Sequence, residues 1–161
     1  MLIASIFAII FCMSTKTHDT GCLVAYALNT FGDRWTMLII RDMLMYGKRR
    51  YGDFLQAGEG IATNILAERL KHLESEGVLE KDRDPENRRS NVYSLTEKGL
   101  ALAPILVEIL QWSGRFAPPP DTRRKKLLKR AATDREALIE EFRAIARSAK
   151  DSGWIPDRDS R

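Results

Sequence analysis

The stretch "GIATNILAERLKHLESEGVLEK", residues 60–81, has the periodicity of one amphipathic helix that ends at a glycine and continues as a strand. Leu66, Leu70 and Leu73 fall at positions i, i+4 and i+7, so they share one face of that helix. We expect this face to be buried and Gly77 to end the helix. The opposite face carries polar side chains: Asn64, Glu68, Lys71 and Ser75.

Composition places the chain among globular proteins. Hydrophobic residues make up 44% and charged residues 30% of its 161 residues, which is enough apolar material for a core. The net charge is +4, but residues 121–130 alone hold six basic side chains and one acidic one. That segment contributes +5 and the rest of the chain therefore −1. Any nucleic-acid interpretation must rest on where basic residues lie elsewhere in the chain.

The residues that carry catalysis or bind metals are scarce. The two cysteines, Cys12 and Cys22, are too few for a disulfide framework, and His18 and His72 have no zinc-ligand spacing. The sequence also lacks a phosphate-binding glycine loop and a Ser/His/Asp set. It predicts no enzyme, no cofactor and no metal site, and reduced thiols in a cytoplasmic protein.

The first twelve residues, "MLIASIFAIIFC", are uncharged and almost wholly apolar. They are shorter than the roughly 20 residues that a membrane-spanning helix needs, and they lack the basic region and cleavage site of a signal peptide. Three interpretations stay open: translation starts at Met13, the stretch is an extra helix packed on the protein, or it has a membrane role. No membrane association is expected otherwise.

Further elements are predicted on both sides of the opening stretch. Short helices are expected from Cys22 to Thr30 and in "YGDFLQA", with a longer one from Arg34 to Gly47 between them. "VLEKDR" and "NVYSL" read as two strands that flank the polar turn "DPENRRS". These elements give a hairpin directly after the central helix.

A helix from Thr96 to about Trp112 follows the hairpin, and Pro104 is expected to bend it. This helix is apolar nearly all round, so one small domain covers only part of it and a second copy is the simplest partner for the rest. The chain is therefore divided as follows: an N-terminal segment, 1–21; a DNA-binding and dimerisation domain, 22–114; a proline-rich and then basic linker, 115–132; and a C-terminal amphipathic helix with a tail, 133–161.

The order of these elements predicts a mainly α fold with a small β-hairpin wing, the winged helix-turn-helix. Its second helix enters the major groove, where all four base pairs are distinguishable. Asn64 then pairs with adenine, and Lys71 reaches a guanine or a phosphate. Arg69 points only about 60° from the buried centre of the helix, so it is interpreted as a packing or ion-pair residue. The predicted DNA-binding residues are Arg50, Tyr51, Thr63, Asn64, Lys71, Arg88 and Arg89.

Four segments, "CLVAYALNTFGDRWTMLIIRDML", "RRYGDF", "ILAERLKHLESEGVLEK" and "YSLTEKGLALAPIL", together resemble the HxlR family of bacterial transcriptional regulators. The resemblance covers roughly residues 22–112. It implies a homodimer, formed by the first helix and the helix after the wing, that binds double-stranded operator DNA as a repressor or activator. Two departures stand out: Leu23 where the family often has proline, and Asn91-Val92-Tyr93 where it often has Val-Glu-Tyr.

Cys22 is the one residue with possible reactivity. It lies near a helix N-terminus, where the helix dipole favours the thiolate, and some members of the family resemble this arrangement and sense electrophiles or oxidants with such a thiol. The alternative is a small, inert side chain. Two further functions also stay open: a winged-helix module that binds proteins, and a membrane-tethered regulator if residues 1–12 are genuine. The effector is left unknown.

Overall fold

The computed structural model describes residues 21–118 and 121–152. The interpretations of residues 1–12 therefore lie outside the described residues. The chain divides after Asp33 into two units, whereas the sequence placed a boundary after residue 21. The described part of the first unit is helix α1 (Leu23–Phe31), which ends at Gly32.

The second unit begins with α2, and its order of elements confirms the predicted winged helix-turn-helix. Helices α3 and α4 form the helix-turn-helix, and β1 and β2 form the wing. The elements are α2 (Arg34–Tyr46), α3 (Tyr51–Leu55), α4 (Thr63–Ser75), β1 (Leu79–Arg83), β2 (Asn91–Leu95), α5 (Glu97–Leu100), α6 (Ala103–Phe116), α7 (Thr122–Thr133) and α8 (Arg135–Ser152).

Helix α4 has the predicted buried leucine face, and it ends just before Gly77 as predicted. It ends where Gly77 takes a positive φ of 67°, a conformation that costs little only for glycine. The N–H of Gly77 donates to the carbonyl of Glu74 (3.0 Å) and that of Val78 to the carbonyl of Leu73 (2.9 Å). These two bonds satisfy carbonyls at the helix end and turn the chain directly into the wing.

The wing is an antiparallel hairpin whose register starts with Leu79 opposite Leu95. The residues between α2 and α3 add a third, very short piece of strand, because Arg50 forms an isolated bridge with Val92. The wing is therefore attached through the backbone to the start of the helix-turn-helix as well as to the end of α4.

The core lies where α2, α4, the wing root, α6 and α8 meet. Helix α8 packs along α2 and α6, so the C-terminal amphipathic helix is a docked part of the unit. Its buried apolar side chains belong to the same core as those of the other helices. The buried side chains of the four helices include Ile39, Ile40, Met43, Leu44, Leu66, Leu70, Leu73, Leu106, Leu138, Ile139 and Phe142.

The single helix predicted from Thr96 to about Trp112 is wrong, because the structure has two helices there. Thr96 caps the first as expected, its Oγ1 accepting the N–H of Gly99 at 3.2 Å. Helix α5 ends at Leu100, and α6 starts at Ala103 with Pro104 in its first turn. A backbone N–H in the first turn of a helix has no partner within that helix, so proline, which lacks the N–H, removes no hydrogen bond there. Pro104 therefore starts a helix instead of bending one.

The predicted linker, 115–132, differs from the structure in two places. Helix α6 continues to Phe116, and the basic part of the linker is helix α7. Asp121 caps α7, its carboxylate accepting the N–H of Arg124 at 2.8 Å. Ala131 of this helix is fully buried, and Gln111 of α6 donates to its carbonyl at 2.9 Å. Packing against α6 thus stabilises a segment whose charge alone favoured an extended linker.

Candidate nucleic-acid interface

The start of α4 is fixed by the helix before it. The hydroxyl of Tyr51 in α3 donates to the carbonyl of Thr63, the first residue of α4, at 2.6 Å. The carboxylate of Asp53 accepts the backbone N–H of Arg50 at 3.0 Å and so caps α3. The Tyr51–Thr63 bond ties α3 to the start of α4, and the angle between these helices in a helix-turn-helix sets how the second helix meets DNA.

The outer face of α4 presents the predicted residues to solvent. Thr63, Asn64 and Lys71 are all exposed, and Asn64 lies in the first turn of the helix. Arg69 is half-buried and pairs with Glu68 at 3.1 Å, as predicted for an ion-pair residue. The structure therefore brings Thr63, Asn64 and Lys71 together on one solvent-facing side of a helix whose other side is locked in the core.

Arg50 has a different environment from the one expected of a residue that contacts the DNA backbone. Its Nε lies 2.7 Å from Oδ2 of Asp84, and its Nη2 lies 2.7 Å from Oε2 of Glu86. Its side chain is 26% exposed, and that of Asp84 only 2%. Arg50 thus joins the entrance of α3 to the wing loop, because a buried carboxylate needs a charged or hydrogen-bonded partner.

The wing loop is built around Asp84. Besides binding Arg50, its Oδ1 accepts the N–H of Glu86 at 2.9 Å. Hydrogen bonds from Arg50 hold the pKa of the Asp84 carboxyl below its usual range. Sequence analysis missed this residue, although an aspartate followed by a proline at the start of a turn is a recognisable signal.

Arg88 and Arg89 occupy the tip of the wing, and both are exposed. Asn87 forms the turn beneath them: its side-chain oxygen accepts the N–H of Arg89 at 3.1 Å, and its carbonyl accepts that of Ser90 at 2.8 Å. The two arginines extend from a hydrogen-bonded turn that Asp84 fixes to the rest of the domain.

A solvent-open cleft of about 390 Å³ separates α3 from the wing. Tyr51 and Gln56 line it on the helix side, and Ser90 and Asn91 line it on the wing side. Tyr93 forms part of its wall, and burial raises the pKa of that phenol. The cleft thus lies between Tyr51 of α3 and the wing whose tip carries Arg88 and Arg89.

Cys22 directly precedes α1, and its thiol is exposed. Its carbonyl accepts the N–H of Tyr26 at 3.0 Å, which places Cys22 at the N-terminal end of the helix. Among the described residues of α1, Leu23, Val24 and Leu28 are also largely exposed. The first helix thus presents one thiol and several apolar side chains.

A second exposed apolar surface runs along α6, and we call it the α6 stripe: Ile105, Ile109, Trp112 and Phe116. The spacing of its members puts them on one helix face. The rings of Trp112 and Phe116 contact each other, with their centroids 5.3 Å apart. Contiguous exposed apolar surface of this kind is typical of an interface with another chain.

Within residues 21–118 and 121–152, the chain holds no group of three or more side chains suited to bind a metal ion. It also holds no helix there with the length and apolar character to cross a bilayer.

The family model described as HxlR-like helix-turn-helix matches residues 30–121, more than half of the chain. The chain belongs to this family. It is therefore a helix-turn-helix transcriptional regulator that binds DNA, and the resemblance inferred from its sequence is confirmed.

Similar proteins match about three fifths of this HxlR-type regulator. It is 41% identical over 93 residues to the uncharacterized regulator YvaP of Bacillus subtilis strain 168, covering 58% of this chain and 85% of that protein. The structure of reduced YodB from B. subtilis aligns with a TM-score of 0.51 at 35% identity, over 62% of this chain and 98% of that one. The redox regulator HypR in its oxidized form aligns with a TM-score of 0.54 at 26% identity, over 60% and 99%.

Proposed function

We propose that this regulator is a cytoplasmic homodimer that binds operator DNA by inserting α4 into the major groove, and that it acts by binding and not by catalysis. The observation that carries the proposal is the two-sided character of α4. Its leucine face is locked in the core, while Asn64 and Lys71 are exposed on the other side. An α-helix with polar side chains fits the major groove and reads base edges there.

Each predicted residue has a role in this arrangement. Asn64, in the first turn of α4, pairs with adenine, and Lys71, about two turns further along the face, binds guanine or a phosphate. Thr63 and Tyr51 lie beside the phosphate backbone at the entrance of the groove. These roles are supported by the exposure of Thr63, Asn64 and Lys71 and by the hydrogen bond from the half-buried Tyr51 to Thr63.

The wing supplies the second contact. Arg88 and Arg89 reach the minor groove beside the operator half-site, and the cleft between α3 and the wing receives the backbone between the two grooves. Arg50 acts here mainly by holding the wing loop through Asp84, and the part of its side chain that stays exposed contacts a phosphate.

The proposal is tested by fluorescence anisotropy of the reduced protein with DNA from upstream of its own gene, at physiological salt and with excess unrelated DNA. Asn64→Ala and Lys71→Ala should each weaken specific binding by about fivefold to 150-fold, since a lost base contact costs roughly 1–3 kcal/mol. Lys126→Ala is the matched control, because Lys126 is an exposed lysine on α7. The affinity of this variant for the upstream DNA should equal that of the wild type.

The contrary outcomes separate the alternatives. In one outcome, unrelated DNA abolishes binding to the upstream region, and a genome-wide pulldown recovers no specific site. That outcome would favour a winged-helix module that binds proteins. A membrane-tethered regulator requires residues 1–12, and mass spectrometry of the N-terminal peptide from native cells tests for them. Equal loss of affinity in Lys126→Ala would contradict the assignment of α4 as the reading helix.

The homodimer is supported by the two exposed apolar surfaces. In our proposal, a second copy covers α1, where Leu23 is 85% exposed, and the α6 stripe, where Trp112 is 65% exposed. Burying a large apolar side chain contributes roughly 1.5–3 kcal/mol, so surfaces of this size favour association. A two-fold dimer presents two α4 helices to two half-sites.

We further propose that Cys22 senses electrophiles. Its exposure beside a helix N-terminus and the similarity to a structure named as a redox regulator support this proposal. With a quinone, the thiolate sulfur adds to a ring carbon and forms a C–S bond. The displaced electron pair moves to one ring oxygen, which takes up a proton from solvent. The hydrogen on the attacked ring carbon then leaves as a proton and the other oxygen takes one up, so the product is a hydroquinone thioether.

Cys22→Ser tests this proposal. In the wild type, benzoquinone should release operator DNA, and the intact mass should rise by one quinone; the serine variant should keep its DNA at the same quinone concentration. A variant that releases DNA as readily as the wild type would overturn the role of Cys22. The affinity of the untreated variant is the control, and it should equal that of the untreated wild type.

A further inference from the structure

Arg49 lies between α2 and α3, and its backbone forms a hydrogen bond with the wing. Its carbonyl accepts the N–H of Tyr93 in β2 at 2.9 Å. Its side chain bonds the same strand: Nε donates to the carbonyl of Tyr93 at 3.2 Å, and Nη2 donates to Oγ of Ser94 at 2.8 Å. Arg49 is therefore fixed to β2 by three hydrogen bonds.

The remaining nitrogen of the same guanidinium reaches the C-terminal helix. Its Nη1 donates to the carbonyls of Ala149 (2.5 Å) and Lys150 (3.1 Å), both in the last turn of α8. Carbonyls in the last turn of a helix have no partner within the helix, and the helix dipole favours a cation there. Ala149 and Ser94 are almost fully buried, so the bonds from Arg49 to these two residues are partly shielded from solvent, whereas the bond to Lys150 is exposed.

Further contacts hold α8 along the wing root. Lys150 forms an ion pair with Glu80 of β1, so α8 contacts both strands of the wing. Arg143 donates to the carbonyl of Leu100, just past the wing, at 3.3 Å. The end of α8 thus lies against the base of the hairpin whose tip carries the two exposed arginines.

Helix α8 also lies outside the family match, which ends at residue 121. We propose that α8 is a support for the wing, and that Arg49 is the positioning residue through which it sets the wing's position on DNA. The proposal rests on the proposed function, because it assigns to the wing the DNA contact described above. It adds a part of the chain that the family match does not include.

The first test uses the full-length free protein and needs no DNA. In Arg49→Gln, amide hydrogen exchange should speed up in residues 79–95 and 145–152, while the protection of α4 stays at the wild-type level. Arg49→Lys keeps the charge but loses the fork geometry, so it should show an intermediate change. Unchanged exchange in the wing would overturn the coupling, whether or not the protein binds the operator.

The second test is a double-mutant cycle in operator binding. Arg49→Gln should weaken binding by about tenfold, and it should have little effect once Arg88→Ala and Arg89→Ala have removed the wing contact. Additive losses would show that Arg49 acts by another route and would overturn the proposal. If Arg49→Gln does not fold, Ser94→Ala, which removes one of the acceptors of Arg49, takes its place in both tests.

Discussion

At the scale of single residues, Arg50 and Asp84 show how an ion pair determines where a wing is held. Asp84 is buried at the base of the wing loop, and Arg50 reaches it from the entrance of α3. The sequence predicted Arg50 as a DNA-binding residue and showed Asp84 only as part of the polar turn "DPENRRS". Their positions are 34 residues apart in the chain, so no local pattern joins them.

Replacing Asp84 by asparagine should lower the free energy of unfolding at neutral pH by about 1–2 kcal/mol, because Arg50 loses its charged partner. The pKa of Asp84 is depressed in the folded protein, so its contribution is fully present above the unfolded value of about 3.9. That contribution is lost as the pH falls through the lower folded pKa.

The difference between wild type and Asp84→Asn should therefore stay constant from pH 7 to 5 and shrink as the pH falls below about 3.9. Urea denaturation between pH 3 and 7 measures it. Asp82→Asn is the control, because Asp82 is an exposed aspartate on β1. A difference that grows at low pH would contradict the pairing with Arg50.

At the scale of elements, α7 is the helix whose structure differs most from what its sequence predicts. Its many like charges disfavour a compact segment, yet Leu127 and Leu128 are half-buried and Ala131 is fully buried. Arg130 forms an ion pair with Glu141 of α8. Tertiary contacts thus outweigh local repulsion, and only the position of α6 makes those contacts available.

The direction of α7 also locates its basic residues. Gln111 contacts Ala131 and Glu108 contacts Arg135, so α7 runs antiparallel to α6 and begins near its C-terminal end. Lys125 and Lys126 therefore lie near the C-terminal end of α6. At a rise of 1.5 Å per residue, that end is roughly 20 Å from the N-terminal end of α6, which lies next to the wing root. This position separates the basic segment from the wing of its own chain.

At the scale of the whole molecule, the proposed dimer predicts the effect of a charge in the α6 stripe. Trp112→Glu should convert the dimer to a monomer and weaken operator binding at least tenfold, because a buried carboxylate without a partner is costly and one half-site contact is lost. Multi-angle light scattering measures the mass, and anisotropy measures the affinity.

Ala137→Glu is the matched control, since Ala137 is an exposed alanine on α8, outside the α6 stripe. It should keep the mass of two chains and the affinity of the wild type. A Trp112→Glu protein that remains dimeric would contradict the use of the α6 stripe as the interface, and a monomeric wild type would contradict the dimer itself.

The sequence by itself determined the central helix, the hairpin, the order of elements from α1 to the wing and hence the winged helix-turn-helix fold, because helix and strand periodicity and a glycine stop are local properties. It also placed Asn64 and Lys71 on the face opposite the buried leucines. Only the tertiary structure decided that α8 contacts the wing and that Arg50 forms an ion pair with Asp84. The Arg49–Ala149 hydrogen bond joins residues 100 positions apart, and such contacts arise only when packing brings distant segments together.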